Sequence, residues 1–120
     1  MATAARARGA TGAVLNGHVR DAKGLLEMQF PVFCMGCYAQ DQKGRGQVID
    51  YRVEVEIGGV RIQPGDMLIG DIDGVVVVPH QVEAEVFSAA LNKARTEKTI
   101  KTDLEQGMLA TVAFKKYGIL

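Results

Sequence analysis

Four consecutive valines at residues 75–78 constrain the fold of this chain more than any other segment. β-Branched side chains favour extended backbone, and an apolar run without polar alternation is typical of a strand buried on both faces. The sequence Asp71-Ile72-Asp73-Gly74 before the run is turn-forming, and residues 67–70 before the turn form another short apolar segment. We therefore predict a hairpin whose second strand is covered on both faces.

Shorter patterns predict further strands upstream of this hairpin. Residues 13–15 and 31–37 are apolar segments bounded by turn-forming residues, which indicates two buried strands. From Tyr51 onward apolar and charged residues alternate, as expected of a half-exposed strand, and Gly58-Gly59 predicts a hairpin turn after it. The residues predicted to share one face of this strand are Val53, Val55 and Ile57.

Helical patterns precede and follow these strands. Residues 1–8 are rich in alanine and arginine and indicate the last part of a helix, and residues 22–29 indicate a short helix. The 3.6-residue periodicity of residues 81–106 predicts a long helix that Gly107 ends. Polar residues 40–46 are predicted to form a loop. The apolar stripe of the long helix consists of Val82, Val86, Phe87, Ala90, Leu91 and Ala94.

The size and charge of the chain exclude several classes of protein. With 120 residues, 48% of them hydrophobic, we predict a single domain over residues 1–120. The 14 basic and 14 acidic residues balance and form no long run of one sign, so no basic face for nucleic acid or anionic lipid is expected. No apolar stretch reaches the ~18 residues of a membrane span, and no secretory hydrophobic segment is present. We predict a cytoplasmic protein that binds neither membrane nor nucleic acid.

The segment Cys34-Met35-Gly36-Cys37 has the spacing of a redox pair or of half a zinc site. A zinc site would need two more ligands, and His18 and His80 are the only histidines. A redox motif of the thioredoxin type would normally begin a helix, whereas this segment ends an apolar run. A third interpretation is two small buried thiols in a strand.

The adjacent residues Arg20 and Asp21 are the strongest candidates for chemistry. They follow the apolar segment and the tight bend Asn16-Gly17, at the predicted junction of a strand and a helix. Arginine offers a planar fork of donors for a carboxylate or enolate, and aspartate offers a hard oxygen for Mg²⁺ or a similar cation. Together the two side chains could hold a keto acid. The alternative is an Arg-Asp pair that caps a helix or lies on a solvated turn.

Four motifs in this order resemble one family. They are Gly-x-Val-Leu-x-Gly-x-Val-Arg-Asp at residues 12–21, Phe-Pro-Val-Phe at 30–33, Gly-Gly-Val-x-Ile-x-Pro-Gly-Asp at 58–66 and Asp-Gly-Val-Val-Val-Val-Pro at 73–79. Over nearly its whole length the chain is similar to the RraA-like family. This family includes metal-dependent 4-hydroxy-4-methyl-2-oxoglutarate aldolases, which also decarboxylate oxaloacetate, and protein regulators of ribonuclease E activity.

The resemblance implies an α/β fold of the swivelling β/β/α type, layered and assembled as a trimer or a dimer of trimers with sites between subunits. It also implies roles for particular residues. Arg20 would contact the keto-acid substrate and Asp21 would bind the divalent metal. Glu97, on the long helix, lies where the family often has a glutamate that reaches the metal site of a neighbouring subunit. Arg20 and Glu97 are thus the predicted catalytic residues.

The chain also departs from the family pattern. A Gly-x-x-x-Asp loop of the family would fall before Met1, so the resemblance makes residues 1–120 the C-terminal portion of an N-terminally truncated family domain. Asn16 and His18 replace the Asp and the small residue that are common in this turn. His18 lies two residues before Arg20. It could donate a proton or contact a ligand of the metal, and the alternative is a surface or interface histidine.

The predicted function is that of a metal-dependent lyase. Carbon–carbon cleavage of a 4-hydroxy-2-oxo acid and decarboxylation of oxaloacetate both leave a pyruvate enolate, whose charge a cation on Asp21 and the guanidinium of Arg20 would stabilise. The expected cofactor is Mg²⁺, with Mn²⁺ as an alternative, and the expected partners are a small keto acid and further copies of the chain. The alternative function is a non-catalytic oligomeric protein that binds and inhibits a ribonuclease, or an inactive truncated relative.

Overall fold

The structure is a computed structural model in which residues 1–119 are described. The chain divides into two compact units, of which the first is Met1–Pro79 and the second begins at His80. Helices and strands are both present, which confirms the predicted α/β class. The elements are α1 (Ala2–Ala7), β1 (Ala13–Val14), β2 (His18–Val19), α2 (Ala22–Glu27), β3 (Val32–Phe33), β4 (Gly36–Cys37), β5 (Val55–Ile57), β6 (Val60–Ile62), β7 (Met67–Asp71), β8 (Gly74–Val78), a 3-10 turn (His80–Val82), α3 (Glu83–Glu105) and α4 (Ala110–Tyr117).

Two extended segments run side by side in parallel at the start of the first unit. β1 pairs with β3 and β2 pairs with β4, both in parallel, and α2 lies in the connection between them. Two backbone hydrogen bonds lie between these two strand pairs. Leu15 N–H donates to the Phe33 carbonyl and Met35 N–H donates to the Gly17 carbonyl, each at 2.8 Å. The predicted strand at residues 31–37 therefore exists in two short parts. The arrangement is a βαβ unit, which requires a crossover connection because its strands are parallel.

The first hairpin is shorter than the alternation of the sequence predicts. β5 and β6 are antiparallel with Val55 opposite Ile62, but residues 51–53 form bends and not strand. The extension of this strand back to Tyr51 was therefore wrong. Arg52 has φ 57°, in the left-handed region, and this conformation interrupts the extended backbone. The predicted apolar face is correspondingly uncovered, since Val53 and Val55 are both exposed.

The second hairpin has the predicted turn but not the predicted burial. β7 and β8 are antiparallel, with Met67 opposite Val78 and Asp71 opposite Gly74, and Asp73 N–H donates to Asp71 Oδ1 at 2.8 Å inside the turn. Val78 is buried, but Val76 is 63% exposed. The prediction of a strand covered on both faces was thus wrong. Among residues 1–119 these strands pair only with each other, and within the valine run Val76 is exposed while Val75 and Val77 are half-buried.

A glycine lets the second hairpin pack against the parallel strands. The ring of Phe33 in β3 lies over Gly70 in β7, so that a Cβ built at Gly70 would fall 2.6 Å from Cε2 of the ring. Real carbon atoms do not approach so closely, which means that any side chain at this position displaces the ring. The ring of β3 and the backbone of β7 are therefore closely packed at this point.

We expect Gly70→Ala to destabilise the first unit by about 1–3 kcal/mol, the usual cost of overpacking. The measurement is the free energy of unfolding in urea. Phe33→Leu replaces the ring with a smaller side chain. Combined with Gly70→Ala, it should recover part of the lost stability. The matched control is Gly24→Ala in α2, where a Cβ meets nothing within 4 Å. That variant should stabilise the chain slightly, and an equal loss in both variants would contradict the packing contact.

Within residues 80–119 the second unit consists of the 3-10 turn and two helices, and a polar cluster links the two helices. α3 covers most of the predicted helix at residues 81–106, and Gly107, with φ 96°, follows its end as predicted. Tyr117 O–H and Lys116 Nζ in α4 both donate to Asp103 Oδ2 in α3, at 2.6 and 3.2 Å. The bond from Tyr117, followed by that from Lys116, lowers the pKa of Asp103, so the cluster is charged at neutral pH.

Burial in the long helix does not follow its predicted stripe. Among residues 80–119, Ile100 in α3 and Ala113 in α4 are buried, whereas Val82, Val86 and Leu91 of the stripe are exposed. No helix within residues 1–119 combines the length and apolar character needed to cross a membrane.

Candidate functional site

The Arg20-Asp21 pair lies in the βαβ unit, directly after β2 and directly before α2. Ligands of α/β proteins commonly bind at the carboxyl ends of parallel strands, where the connections to helices begin. An open cavity of about 330 Å³ occupies this place. Its walls come from the turn after β2 and from the end of β4, and they consist of Val19, Arg20, Asp21, Ala22, Cys37, Tyr38 and Ala39.

Asp21 has an unusual backbone conformation and an exposed carboxylate, which forms an ion pair with the neighbouring Arg20. Its φ of 61° and ψ of 34° place it in the left-handed region, which asparagine and aspartate tolerate better than other residues with a side chain. Its carbonyl accepts the first helical hydrogen bond of α2 from Leu25 N–H, at 3.2 Å. Its carboxylate makes no capping hydrogen bond and is 79% exposed. The alternative that this side chain caps the helix was therefore wrong, whereas the other alternative, an Arg-Asp pair on a solvated turn, agrees with the exposure of both side chains.

Arg20 lies between two carboxylates. Its Nε is 3.7 Å from Asp21 Oδ2, and its Nη2 is 3.4 Å from Asp41 Oδ2. Within residues 1–119, Nη1 makes no hydrogen bond or ion pair. The guanidinium therefore contacts a carboxylate at each of two nitrogen atoms and keeps the third available to a ligand.

Asp41 forms an ion pair with Arg20 that the sequence reasoning missed. It lies in the predicted polar loop after β4, and because β2 and β4 are parallel, the segments after both strands meet at one end of the pair. The Lys43 backbone N–H donates to Asp41 Oδ1 at 3.0 Å. This bond lowers the pKa of Asp41 below its usual value, and the positive charge of Arg20 acts in the same direction. Both effects favour the charged form of this carboxylate.

Asp21 offers the cavity a single exposed carboxylate as a donor for a metal ion. No cluster of three or more His, Cys, Asp or Glu side chains that could hold a metal occurs within residues 1–119. Structural zinc, which takes four protein ligands, does not match this pattern. Mg²⁺ usually keeps several waters and binds through one or two carboxylates together with substrate oxygens. The exposed carboxylate of Asp21 beside an open cavity suits that mode.

The other sequence-predicted candidates do not line this cavity. Glu97 lies in the second unit on α3, where its carboxylate is 3.5 Å from Lys93 Nζ one turn earlier. His18 is exposed in β2, and its ring centroid lies 5.8 Å from that of Tyr38, which does line the cavity. The catalytic role of Glu97 and the two interpretations of His18 stay predictions.

The two cysteines belong to different surroundings. Cys34 is half-buried and lines a second, mostly apolar cavity of about 370 Å³ between the parallel strands and the hairpins. Cys37 is exposed and lines the first cavity, so the interpretation as two buried thiols was wrong for this residue. Both thiols are free, and Cys34 Sγ lies 3.5 Å from the Gly36 carbonyl oxygen.

Comparisons with known proteins agree on one family. The sequence model of the family described as "RraA-like: Aldolase/RraA" matches residues 1–77. A protein of Halalkalibacterium halodurans named putative 4-hydroxy-4-methyl-2-oxoglutarate aldolase is 32% identical over 110 residues, which make up 92% of this chain and 52% of that protein. Protein DlpA of Legionella pneumophila is 34% identical over 88% of this chain and 17% of its own length.

A solved structure matches the fold closely. An uncharacterized protein from Pseudomonas syringae superposes with a TM-score of 0.93 at 35% sequence identity, over 98% of this chain and 55% of that one. The chain thus spans about half the length of this structure and of the Halalkalibacterium protein.

Proposed function

Because this chain belongs to the RraA-like family, we propose that it is a divalent-metal-dependent lyase that releases pyruvate from a keto acid. The substrates we propose are 4-hydroxy-4-methyl-2-oxoglutarate, cleaved by a retro-aldol reaction into two pyruvates, and oxaloacetate, which loses carbon dioxide. The observation that supports the proposal is the cavity beside β2, where the exposed carboxylate of Asp21 and the guanidinium of Arg20 lie side by side. The proposal includes a cytoplasmic location.

Arg20 would bind and orient the substrate. Its Nη1 is available to a carboxylate of the pyruvyl half, and the planar guanidinium is a better partner for a carboxylate than an ammonium group is. When the carbon–carbon bond breaks, its electron pair moves into the pyruvyl half and forms an enolate. The fixed positive charge of Arg20 then lies next to the developing negative charge, which lowers the barrier more than it stabilises the bound substrate.

Asp21 would hold the cation, with Mg²⁺ as the expected ion and Mn²⁺ as an alternative. When bound, such an ion supplies Lewis acidity toward the keto and carboxylate oxygens of the pyruvyl half. The carboxylate of Asp21 is suited to this task because it is exposed and makes no capping bond. No lysine lines the cavity for Schiff-base chemistry among residues 1–119.

We propose that a water molecule, assisted by an acidic side chain, accepts the proton of the substrate hydroxyl group. Glu97 is the candidate from the sequence, acting on the site of a neighbouring copy in a trimer or hexamer. Its ion pair with Lys93 leaves it 47% exposed, so the carboxylate is accessible to a second copy of the chain.

The experiment is an assay of pyruvate release from both substrates by the 120-residue chain, with Mg²⁺ and with EDTA. Free Mg²⁺ itself promotes the decarboxylation of oxaloacetate, so the rate at the same Mg²⁺ concentration without protein is subtracted. We expect release above this background that EDTA removes. A second readout is calorimetric titration with oxalate, a planar dianion that resembles the pyruvate enolate, which should bind only when Mg²⁺ is present.

Failure of both readouts would overturn the lyase proposal. The ribonuclease-binding function would then be favoured by inhibition of a ribonuclease that persists in EDTA, since binding of a protein partner needs no cation at Asp21.

A further inference from the structure

Arg20 forms an exposed ion pair with a carboxylate that no sequence motif assigns to the site. Asp41 Oδ2 lies 3.4 Å from Nη2 of Arg20, on a loop that is separate from the Arg20-Asp21 turn. The distance from Arg20 Nε to Asp21 Oδ2 is longer, 3.7 Å. Asp41 is thus the nearer of the two anions, although Asp21 is the adjacent residue in the chain.

The position of Asp41 is set by its own loop. One of its oxygens, Oδ1, accepts the Lys43 backbone N–H at 3.0 Å, which leaves Oδ2 to face the guanidinium. A carboxylate fixed in this way loses little conformational entropy when it pairs with arginine, unlike the long side chains of most surface ion pairs. The contact is therefore suited to fixing the direction of Arg20.

The direction of Arg20 matters for both predicted ligands. Without an opposing anion, the guanidinium has only Asp21 to pair with, and a full ion pair there would compete with a cation for the same carboxylate. Asp41 attracts Arg20 from the other loop, and Nη1 keeps no protein partner within residues 1–119. Asp41 thus counteracts the tendency of two adjacent opposite charges to neutralise each other.

We propose that Asp41 is a positioning residue, which holds Arg20 so that Asp21 stays available to a divalent cation and Nη1 to a substrate carboxylate. The proposal rests on the proposed lyase function. Asp41 acts through Arg20, and nothing requires it to touch the substrate.

The test is Asp41→Asn, which keeps an oxygen for the Lys43 N–H but removes the charge. The matched control is Asp71→Asn, because Asp71 accepts a backbone N–H in the same way, from Asp73 at 2.8 Å, in the turn of the second hairpin. Both variants lose one negative charge, so the net charge of the protein changes equally. Oxalate binding in saturating Mg²⁺, the KM and kcat for oxaloacetate, and the Nε–H NMR signal of Arg20 are measured in each.

Positioning and simple electrostatics predict opposite results for oxalate. Removing a negative charge near the cavity should strengthen the binding of a dianion if Asp41 acts only through its field. If Asp41 positions Arg20, Asp41→Asn should weaken oxalate binding and raise KM by about fivefold, a size typical of exposed ion pairs, with a smaller change in kcat. In an Arg20→Lys background the same substitution should have little further effect.

Three results would overturn the proposal: unchanged or tighter oxalate binding in Asp41→Asn, an equal loss in Asp71→Asn, or an Arg20 Nε–H signal that does not move in Asp41→Asn. The NMR signal needs neither metal nor substrate. If the wild-type chain binds neither Mg²⁺ nor oxalate, the lyase function fails, while a shifted Arg20 signal still reports that Asp41 holds the arginine.

Discussion

Asp21→Asn is expected to abolish the Mg²⁺-dependent release of pyruvate, with a fall in kcat/KM of about a thousandfold, since a Lewis-acid cation contributes several kcal/mol to such reactions. Asparagine keeps the shape of the side chain and tolerates the left-handed backbone at this position. The loss should therefore come from the missing charge and not from a changed fold. The measurement is pyruvate formation over a range of Mg²⁺ concentrations, together with calorimetric titration of Mg²⁺.

Two controls make this result specific. The thermal unfolding midpoint of Asp21→Asn should match that of the wild type, because its side chain makes no capping hydrogen bond that the substitution could remove. Asp71→Asn, which removes an exposed aspartate in the turn of the second hairpin, should keep its activity. EDTA-sensitive activity that survives Asp21→Asn would contradict the assignment of the metal ligand.

Arg20→Lys is expected to lower kcat/KM by about 10²–10³-fold, the usual effect of losing one preorganised donor to a developing oxyanion. Lysine keeps the positive charge but has no planar fork, so it cannot contact Asp21, Asp41 and a substrate carboxylate from three separate nitrogens. Mg²⁺ binding should change little, because the carboxylate of Asp21 remains. Steady-state kinetics and oxalate titration measure the two effects separately.

The matched control for this substitution is Arg61→Lys. Arg61 is an exposed arginine in β6 whose Nε lies 3.9 Å from Glu54 Oε1, a pair of the same type as those of Arg20. Its replacement should leave pyruvate release unchanged. If Arg20→Lys also kept the wild-type rate, a positive charge alone would suffice at this position. The hypothesis that the guanidinium recognises the substrate carboxylate would then be wrong.

Local patterns in the sequence predicted those features that local interactions determine. The turn at Asp71-Ile72-Asp73-Gly74, the helix between the parallel strands and the long helix before Gly107 all depend on residues close together in the chain. The adjacency of Arg20 and Asp21 is of the same kind, and their joint exposure to one cavity follows from the turn that they occupy.

The sequence patterns did not predict features that depend on residues far apart in the chain. Four valines in a row indicate a strand but not what covers it, so the exposure of Val76 could not be read from the run itself. The left-handed backbone of Arg52 ends a regular alternation that gives no local sign of a break. Asp41 reaches Arg20 only because β2 and β4 pair in parallel, and that pairing became visible with the fold.

The left-handed backbone of Asp21 subjects this position to two separate requirements during evolution. The conformation favours glycine, asparagine and aspartate, and of these three residues only aspartate carries a carboxylate. Asparagine differs from aspartate by a single exchange of oxygen for an amide nitrogen, and a single base change in a codon is enough to produce it. A relative that no longer needed the proposed metal ligand could therefore lose it by one mutation, because both residues tolerate the backbone of the turn that begins α2.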